Sequence, residues 1–382
     1  MERNARLVLG AKATRTFCYG FLGVLLPVHL AGLGMDARGI GAALTLTLLA
    51  SAAMTYAVRR PAERLGPRVA LAAQSGCIVA AAALFLSTRQ PWLVVLAAML
   101  GNLAVGTGET GPFLTLEQVV ITRTAARERL TAVLSLYNLA GYVAAGLGAA
   151  AIGWTHAAPQ SLFAVFLLSG VAQVIMYLAL TPAPARVAAG ARPAGPSRPL
   201  VRRLAALFAL DSFAGGFIAQ SLIAYYLYTH FGLDLATLGW VFFGVQILSG
   251  LSLLIAARAA PMLGLVNTMV FSHLISNGLL IGIALAPTAA VAVALLLARH
   301  LLSQMDVPTR QTFLMLAVED HERERAASLT NTSRTFAQAV SPALTGWLMQ
   351  GLSLAAPFFL GGGLKIVYDL MLYATIRNVR TR

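Results

Sequence analysis

Long apolar stretches of about 20 residues, separated by short polar or glycine- and proline-containing breaks, follow one another along almost the whole chain. We place twelve of them, with predicted bounds 14–34, 39–58, 68–87, 92–116, 131–153, 160–180, 204–230, 235–256, 266–286, 289–316, 327–349 and 354–376. A stretch of this length crosses a hydrocarbon core roughly 30 Å thick as an α-helix. Backbone facing lipid must satisfy its own hydrogen bonds, so each stretch is predicted to be helical. The pattern predicts an all-α polytopic membrane protein with twelve transmembrane helices.

The composition excludes several other classes of protein. Of the 382 residues, 58% are hydrophobic and 11% charged, whereas a soluble domain carries about 25% charged residues. A soluble enzyme, a disordered tail and a disulfide scaffold are therefore excluded. Cys18 and Cys77 both fall inside apolar stretches and are predicted to be small core residues. The first apolar stretch is too long for the core of a signal peptide, so it is predicted to be a retained helix.

The basic residues predict the orientation of the chain in the membrane. If the N-terminus is cytoplasmic, 21 of the 28 lysines and arginines lie on that side, five lie within spans, and only Arg38 and Arg89 lie opposite. Cytoplasmic loops of membrane proteins are enriched in lysine and arginine. This distribution predicts that both termini are cytoplasmic. It also explains the net charge of +14 by membrane topology, so no nucleic-acid partner is expected.

The chain repeats itself at an offset of 196 to 198 residues. The matches, in order, are Phe17, Gly20 and Phe21 with Phe213, Gly216 and Phe217, Arg60 with Arg258, Leu65-Gly66 with Leu263-Gly264, Pro112 with Pro308, and Arg127-Glu128-Arg129 with Arg323-Glu324-Arg325. Two six-helix halves in parallel orientation are the arrangement of a rocking transporter. We predict two pseudo-symmetric bundles, 1–180 and 204–382. The segment between them, 181–203, contains five prolines and five arginines and is predicted to be a solvated cytoplasmic linker.

The segment after the second span carries a family resemblance. Residues 59–68 read Arg-Arg-Pro-Ala-Glu-Arg-Leu-Gly-Pro-Arg. The chain resembles the major facilitator superfamily, whose signature here is Gly-x-Leu-x-Asp-Arg-x-Gly-Arg-Arg, and the matching positions are Glu63, Arg64, Gly66 and Arg68. The resemblance implies a gating loop that braces the cytoplasmic ends of the two halves. A plain positively charged cytoplasmic loop is the alternative.

The chain departs from the drug/proton antiporters of that superfamily at two signatures. Their fourth span has Arg-x-x-x-Gly, where this chain has Asn102-x-x-x-Gly106. Their fifth span has Gly-x-x-x-Gly-Pro, where this chain has Gly141, Tyr142 and Gly146 without the proline. The chain thus resembles drug and metabolite exporters with degenerate signature motifs.

Charged residues inside the predicted spans are unevenly distributed. An ionisable side chain at mid-bilayer is costly, so it normally faces protein or a wet cavity. In the family that the chain resembles, helices 1, 4, 7 and 10 line the central cavity. Seven charged residues fall on these four spans: Arg15, Glu109, Glu117, Asp211, Arg299, Asp306 and Arg310. On helix 7, Gln220 and Tyr225 are added as polar and aromatic contacts, although an aromatic residue near a helix end also marks the membrane interface.

The tenth span is predicted to carry one charged stripe. Arg299, Ser303, Asp306 and Arg310 are spaced by four, three and four residues, so on a continuous helix they share a face. One interpretation is that Asp306 exchanges partners between the two arginines and thereby couples substrate binding to gating. The other is a fixed buried ion network that only holds the two halves together.

Other charged residues suggest further pairings. Glu109 lies among three glycines and a proline in 106–112, and interrupted helices line binding sites, so it is a candidate proton or cation carrier. Arg15 and Asp211 occupy equivalent repeat positions with opposite charge, which predicts a pair across the two halves, either a gate or a static bridge. Glu117 is expected to meet loop arginines.

The last helix and the histidines are assigned lesser roles. Lys365 and Asp369 are predicted to form a structural pair along the last helix. Three histidines, His29, His273 and His300, stand singly without metal-ligand spacing, so no metal site is expected.

These features predict a secondary active transporter that moves a small molecule by alternating access. Proton coupling through Glu109, Asp211 or Asp306 is expected, with export favoured as the direction. An ion-independent uniporter or importer, and a non-transporting sensor or scaffold on the same fold, are the alternatives. The chain has neither a nucleophile elbow nor a phosphate-binding loop, so no enzyme activity and no cofactor are expected. We expect a monomer in a prokaryotic cytoplasmic (inner) membrane.

Overall fold

The computed structural model describes residues 3–106, 111–124, 130–155, 158–181, 198–318 and 323–377. Over these residues the chain forms fifteen α-helices. They are α1 (Arg3–Gly32), α2 (Ala37–Ala57), α3 (Arg59–Ser87), α4 (Pro91–Leu100), α5 (Pro112–Thr124), α6 (Leu130–Thr155), α7 (Pro159–Leu178), α8 (Arg198–Gly216), α9 (Gln220–Phe231), α10 (Leu235–Leu263), α11 (Leu265–Ala284), α12 (Ala289–Ser303), α13 (Asp306–Ala317), α14 (Arg323–Gly351) and α15 (Ala356–Ile376).

Nine helical segments of the described ranges are long and apolar enough to cross a membrane. They are Ala37–Ala57, Arg59–Ser87, Val133–Trp154, Pro159–Leu178, Pro199–Phe231, Leu235–Leu263, Leu265–Ala284, Ala289–Leu314 and Ala356–Ile376. Many of their large apolar side chains are exposed on the protein surface, as expected where lipid is the solvent. The predicted all-α polytopic membrane fold is confirmed.

Three of the predicted spans are interrupted. The span predicted at 92–116 divides into α4 and α5, and Asn102 (φ +49°) and Gly111 (φ +105°) leave the helical conformation between them. The span predicted at 204–230 divides into α8 and α9, and that at 289–316 into α12 and α13. The glycines and Pro112 indicated the first break. The other two breaks could not be predicted from the sequence pattern, because a short break between apolar segments leaves the hydropathy unchanged.

The chain clusters into two compact units. The first comprises Met1–Asp36, Leu46–Gly190 and Leu233–Phe243, and the second comprises Ala37–Thr45, Ala191–Gly232 and Gly244–Arg382. In the first unit α1 packs on α6 and α7, and α3 packs on α7. In the second unit α8 packs on α14 and α15, and α11 packs on α15. The same packing order therefore occurs in both units.

Glycines at repeat-equivalent positions allow the first helix of each unit to approach its neighbour closely. A Cβ atom on Gly20 of α1 would lie 1.9 Å from the carbonyl oxygen of Ala145 on α6. On the opposing helix, a Cβ atom on Gly148 would lie 1.8 Å from the carbonyl oxygen of Phe17. At Gly216 of α8 the nearest atom, in Ser341 of α14, would be 2.6 Å away. Small residues at helix interfaces permit such backbone contacts in membrane proteins.

We expect Gly20→Ala to lower the free energy of unfolding by about 2–3 kcal/mol, because the added methyl meets backbone that cannot rotate away. The thermal unfolding midpoint of the purified protein in detergent measures the effect. Gly278→Ala is the matched control, because Gly278 lies within α11 and a Cβ atom there would meet nothing within 4 Å. Equal midpoints for the two variants would contradict the close contact between α1 and α6.

Candidate functional site

In the first unit, Arg15 and Glu117 form an ion pair that is fully buried on both sides. The guanidinium donates to both carboxylate oxygens, at 2.7 and 3.2 Å. The Tyr137 hydroxyl donates to Glu117 Oε2 at 2.6 Å, and Tyr177 donates to the other oxygen while accepting from Arg15. The guanidinium also lies 4.2 Å from the centre of the Phe113 ring. The acceptor sites of this carboxylate are well occupied, which is typical of a structural brace.

This arrangement corrects one expectation. Glu117 is predicted to meet loop arginines, but its carboxylate faces α1 and binds Arg15. Within its own unit, Arg15 binds Glu117 and Asp211 binds Lys365, and the pair of Arg15 with Asp211 across the two halves stays a prediction. The reason is packing: α1 contacts α5, which carries Glu117, and α8 contacts α15, which carries Lys365. Opposite charge at equivalent repeat positions did not reveal these neighbours.

In the second unit, Asp211 on α8 is the centre of a buried ion network. Its Oδ1 accepts from Lys365 Nζ at 2.6 Å, and its Oδ2 accepts from Arg310 at 3.4 Å. Arg310 donates in turn to Asp306, one helical turn before it on α13, at 2.5 Å. Asp211, Asp306 and Arg310 are thus brought together, as their positions on the seventh and tenth predicted spans suggested. The Lys365 ammonium reaches α8 and binds Asp211, so its predicted role as the structural partner of Asp369 is corrected.

Asp369 binds His273 and Asn277 of α11. His273 Nδ1 lies 2.7 Å from Oδ1 of Asp369, and the Asn277 side-chain amide donates to Oδ2 at 2.8 Å. The other ring nitrogen of His273 lies 3.4 Å from Lys365 Nζ and 3.8 Å from Asp211 Oδ1. His273 therefore links Asp369 to the ion pair at Asp211. His273 is therefore not isolated, in contrast to what its single occurrence in the sequence suggested. A histidine and an asparagine four residues apart in an apolar helix could have indicated this polar contact.

The predicted stripe on the tenth span is divided by the break between α12 and α13. Asp306 and Arg310 lie on α13 and pair, whereas Arg299 lies on α12. Among the described residues, no carboxylate lies within 4 Å of the Arg299 guanidinium. One of its terminal nitrogens lies 3.4 Å from His300 Nε2, and its Nε has no hydrogen-bond partner. The expectation that Asp306 lies between two arginines is therefore wrong, because the break changes the direction of the helix face.

The remaining candidates are distributed along the chain. Gln220 is buried at the start of α9 and accepts from the side chain of Gln246 at 3.0 Å. Tyr225 is buried on the same helix. Glu109 lies outside the described residues. Over the described part of the chain, no group of three or more His, Cys, Asp or Glu side chains is arranged to hold a metal ion.

The predicted gating loop is helical on both sides of a single glycine. Helix α3 begins at Arg59 and turns at Gly66, which has φ +82° and ψ +160°. Its repeat partner Gly264 has φ +84° and ψ +152°. Residues that carry a side chain rarely adopt this backbone conformation, so glycine is required at both positions. Glu63 and Arg64 are exposed, and Arg68 is half-buried.

Comparison with known proteins gives relatives and solved structures that match along nearly the full chain. The family model described as Major Facilitator Superfamily matches residues 8–297 and 204–381. An uncharacterized membrane protein of Saccharomyces cerevisiae is 22% identical over 418 residues, covering 97% of this chain and 93% of the yeast protein. A D-xylose–proton symporter has a TM-score of 0.77 at 11% identity, covering 99% of both chains. An auto-inhibited POT family peptide transporter has a TM-score of 0.78 at 10% identity, covering 100% of this chain and 98% of that one.

The similarity to the solved structures concerns the fold, since their sequence identities are low. The family model, in contrast, matches the sequence itself on both sides of the predicted linker. Together with the helical architecture and the repeated packing order of the two units, this match shows that the chain is a multi-pass membrane protein of the Major Facilitator Superfamily.

Proposed function

We propose that this protein is a secondary active transporter that moves a small molecule across a cell membrane by alternating access. Membership of the superfamily supports a transport function. The observation that carries the proposal is the placement of buried charge on interrupted helices. Asp211, Arg299, Asp306 and Arg310 all lie on the two spans of the second unit that are broken. Interrupted helices line substrate and ion sites in transporters, because their freed backbone groups need polar partners.

A count of twelve transmembrane helices follows if three further segments join the nine apolar ones. These are α1 and α14, which contain charged and polar residues, and the pair α4 and α5, which are apolar but individually too short to cross a membrane. The excess of basic residues in alternate loops supports cytoplasmic termini and a cytoplasmic linker at 181–203. A prokaryotic inner membrane and a monomeric state remain our expectation.

Proton coupling is proposed at Asp211. Its carboxylate is buried and bound to the Lys365 ammonium at 2.6 Å. Protonation of the carboxylate weakens its attraction to the ammonium, which frees Lys365 to take another partner. Asp306 and Glu109 are the other carboxylates assigned to coupling. The D-xylose–proton symporter provides a fold precedent for coupling to protons, and the resemblance to drug and metabolite exporters favours export as the direction.

Flux across proteoliposomes tests this proposal. Vesicles loaded with a pH-sensitive dye receive D-xylose, uridine, dialanine or succinate under a clamped membrane potential. We expect at least one compound to move protons in vesicles that contain the protein and in none that lack it. Flux of a compound that ignores an imposed pH gradient would instead identify a uniporter. Binding of a compound without any flux would favour the non-transporting alternative.

A further inference from the structure

Among its described residues, the interior of the second unit contains more positive than negative charge once the half-buried Arg334 is counted with the buried groups. Its described helices α8 and α11 to α15 all contribute ionisable side chains to the interior. They are Asp211, His273, Arg299, His300, Asp306, Arg310, Lys365 and Asp369, all buried, and the half-buried Arg334. Four of these are arginines or lysine, three are carboxylates and two are histidines. A buried charge without a counter-ion is costly, so the balance of this set is informative.

The net positive charge of this set persists wherever the protons of the two histidines and Asp369 are placed. His300 donates from Nδ1 to the Leu296 carbonyl at 2.8 Å, which leaves Nε2 as the acceptor for Arg299, so this ring is neutral. With His273 neutral and Asp369 ionised, the set carries one net positive charge. Adding a proton to either of these two residues raises the excess to two. The Lys365 ammonium is already paired with the Asp211 carboxylate at 2.6 Å.

The excess is located at two arginines. Lys365 and Arg310 each have a carboxylate within 4 Å. Arg299 is 7% exposed, and among the residues that the structure describes it has no carboxylate within that distance and an Nε without a partner. Arg334 donates from Nε to the Ser212 hydroxyl at 2.8 Å, and it too has no ion pair over the described ranges. Arg334 is nevertheless close enough to Arg310, Asp211 and Asp306 to interact electrostatically with them.

We propose that the transported molecule is an anion, and that its carboxylate or phosphate group pairs with Arg299. This inference rests on the proposed transport function and specifies the substrate class. A guanidinium presents paired N–H donors that match both oxygens of a carboxylate or phosphate group. His300 holds the guanidinium at one terminal nitrogen and leaves Nε available. The anion supplies the counter-charge that Arg299 lacks among the described residues.

The first test needs no ligand. If Arg299 has no internal counter-ion, Arg299→Met removes an uncompensated buried charge and raises the thermal midpoint of the ligand-free protein in neutral detergent by about 2 °C or more. Arg310→Met is the matched control, since it leaves Asp306 without its partner and should lower the midpoint. The alternative counter-ion is Glu109, which the described ranges do not include. In that case Arg299→Met lowers the thermal midpoint, and Glu109→Gln lowers it in the wild type but has no further effect in the Arg299→Met variant. That result would overturn the proposal.

The second test uses probes in pairs at constant ionic strength: benzoate with benzamide, succinate with succinamide, and glucose 6-phosphate with glucose. A ligand of the folded state raises the midpoint in proportion to RT ln(1 + [L]/Kd). We expect at least one anion to stabilise the wild type by about 2 °C or more while its neutral partner does not, and expect Arg299→Met to abolish the shift. Stabilisation by neutral probes only, or by no anion, would overturn the anion assignment.

Three further outcomes separate a transported anion from a bound lipid, from anion binding without transport, and from transport of a neutral compound. An anionic lipid offers the same phosphate chemistry, so the probes are repeated in nanodiscs of phosphatidylcholine and of phosphatidylglycerol. Stabilisation by phosphatidylglycerol that Arg299→Met removes, with no shift from any soluble anion in phosphatidylcholine, would assign the site to lipid and overturn a transported anion. Anion binding without flux in proteoliposomes would refute transport while leaving the site. Flux of a neutral compound unaffected by Arg299→Met would refute the anion while leaving transport.

Discussion

Arg15→Met is expected to lower the free energy of unfolding by about 3–5 kcal/mol, the range measured when one partner of a buried ion pair is removed. The substitution leaves the Glu117 carboxylate at 0% exposure with no cation in contact among the described residues. Tyr137 and Tyr177 would still donate to it, but neutral donors do not supply the missing charge. Titration of the purified protein from dodecyl maltoside into mixed micelles with sodium dodecyl sulfate measures the unfolding free energy.

A double-mutant cycle separates the ion pair from simple loss of volume. Because Glu117→Gln removes the charge that Arg15 compensates, Arg15→Met/Glu117→Gln should lose clearly less than the sum of the two single variants. Arg64→Met is the control, since Arg64 is exposed on α3 and a surface change there should stay within about 0.5 kcal/mol. Additive losses in the double variant would show that the two side chains are not energetically coupled.

The sequence was sufficient to predict the helical fold but not the neighbours of each charged residue. Apolar length predicted the membrane segments, and the internal repeat anticipated that Gly66 and Gly264 adopt the same backbone conformation. Spacing along one helix also predicted the contact between Asp306 and Arg310. Contacts between helices were not predictable in this way, because a helix that is apolar all round gives no indication of which face meets which partner. The contact partners predicted for Glu117 and Lys365 were therefore wrong.

The two units place buried charge in different electrostatic situations. In the first, Glu117 binds Arg15 and two tyrosine hydroxyls, so moving any one of them leaves a strong donor or acceptor unsatisfied. In the second, Asp211 is shared between Lys365 and Arg310 at unequal distances, and His273 approaches it from α11. A shared carboxylate has alternative pairings of similar chemistry. This difference favours a static role for the first network and a coupling role for the second.

Asp211→Asn is expected to reduce substrate-dependent proton movement in proteoliposomes to the level of vesicles without protein, because no other acceptor in the described part of the network contacts both Lys365 and Arg310. The same change leaves the Lys365 ammonium unpaired and should lower the free energy of unfolding by roughly 3 kcal/mol or more. Asp234→Asn is the matched control, because that carboxylate is exposed and caps α10 through the Thr237 amide. It should keep both the flux and the stability.

The double variant Asp211→Asn/Lys365→Met decides between a coupling site and a static bridge. Removing the unpaired ammonium should recover much of the lost stability, because no uncompensated charge then remains at this position. Proton movement should stay absent, since the carboxylate that accepts the proton is still missing. Recovery of both stability and flux would assign the Asp211–Lys365 pair to structure alone. Coupling would then fall to Asp306 or Glu109, each of which the corresponding asparagine or glutamine variant tests in the same vesicles.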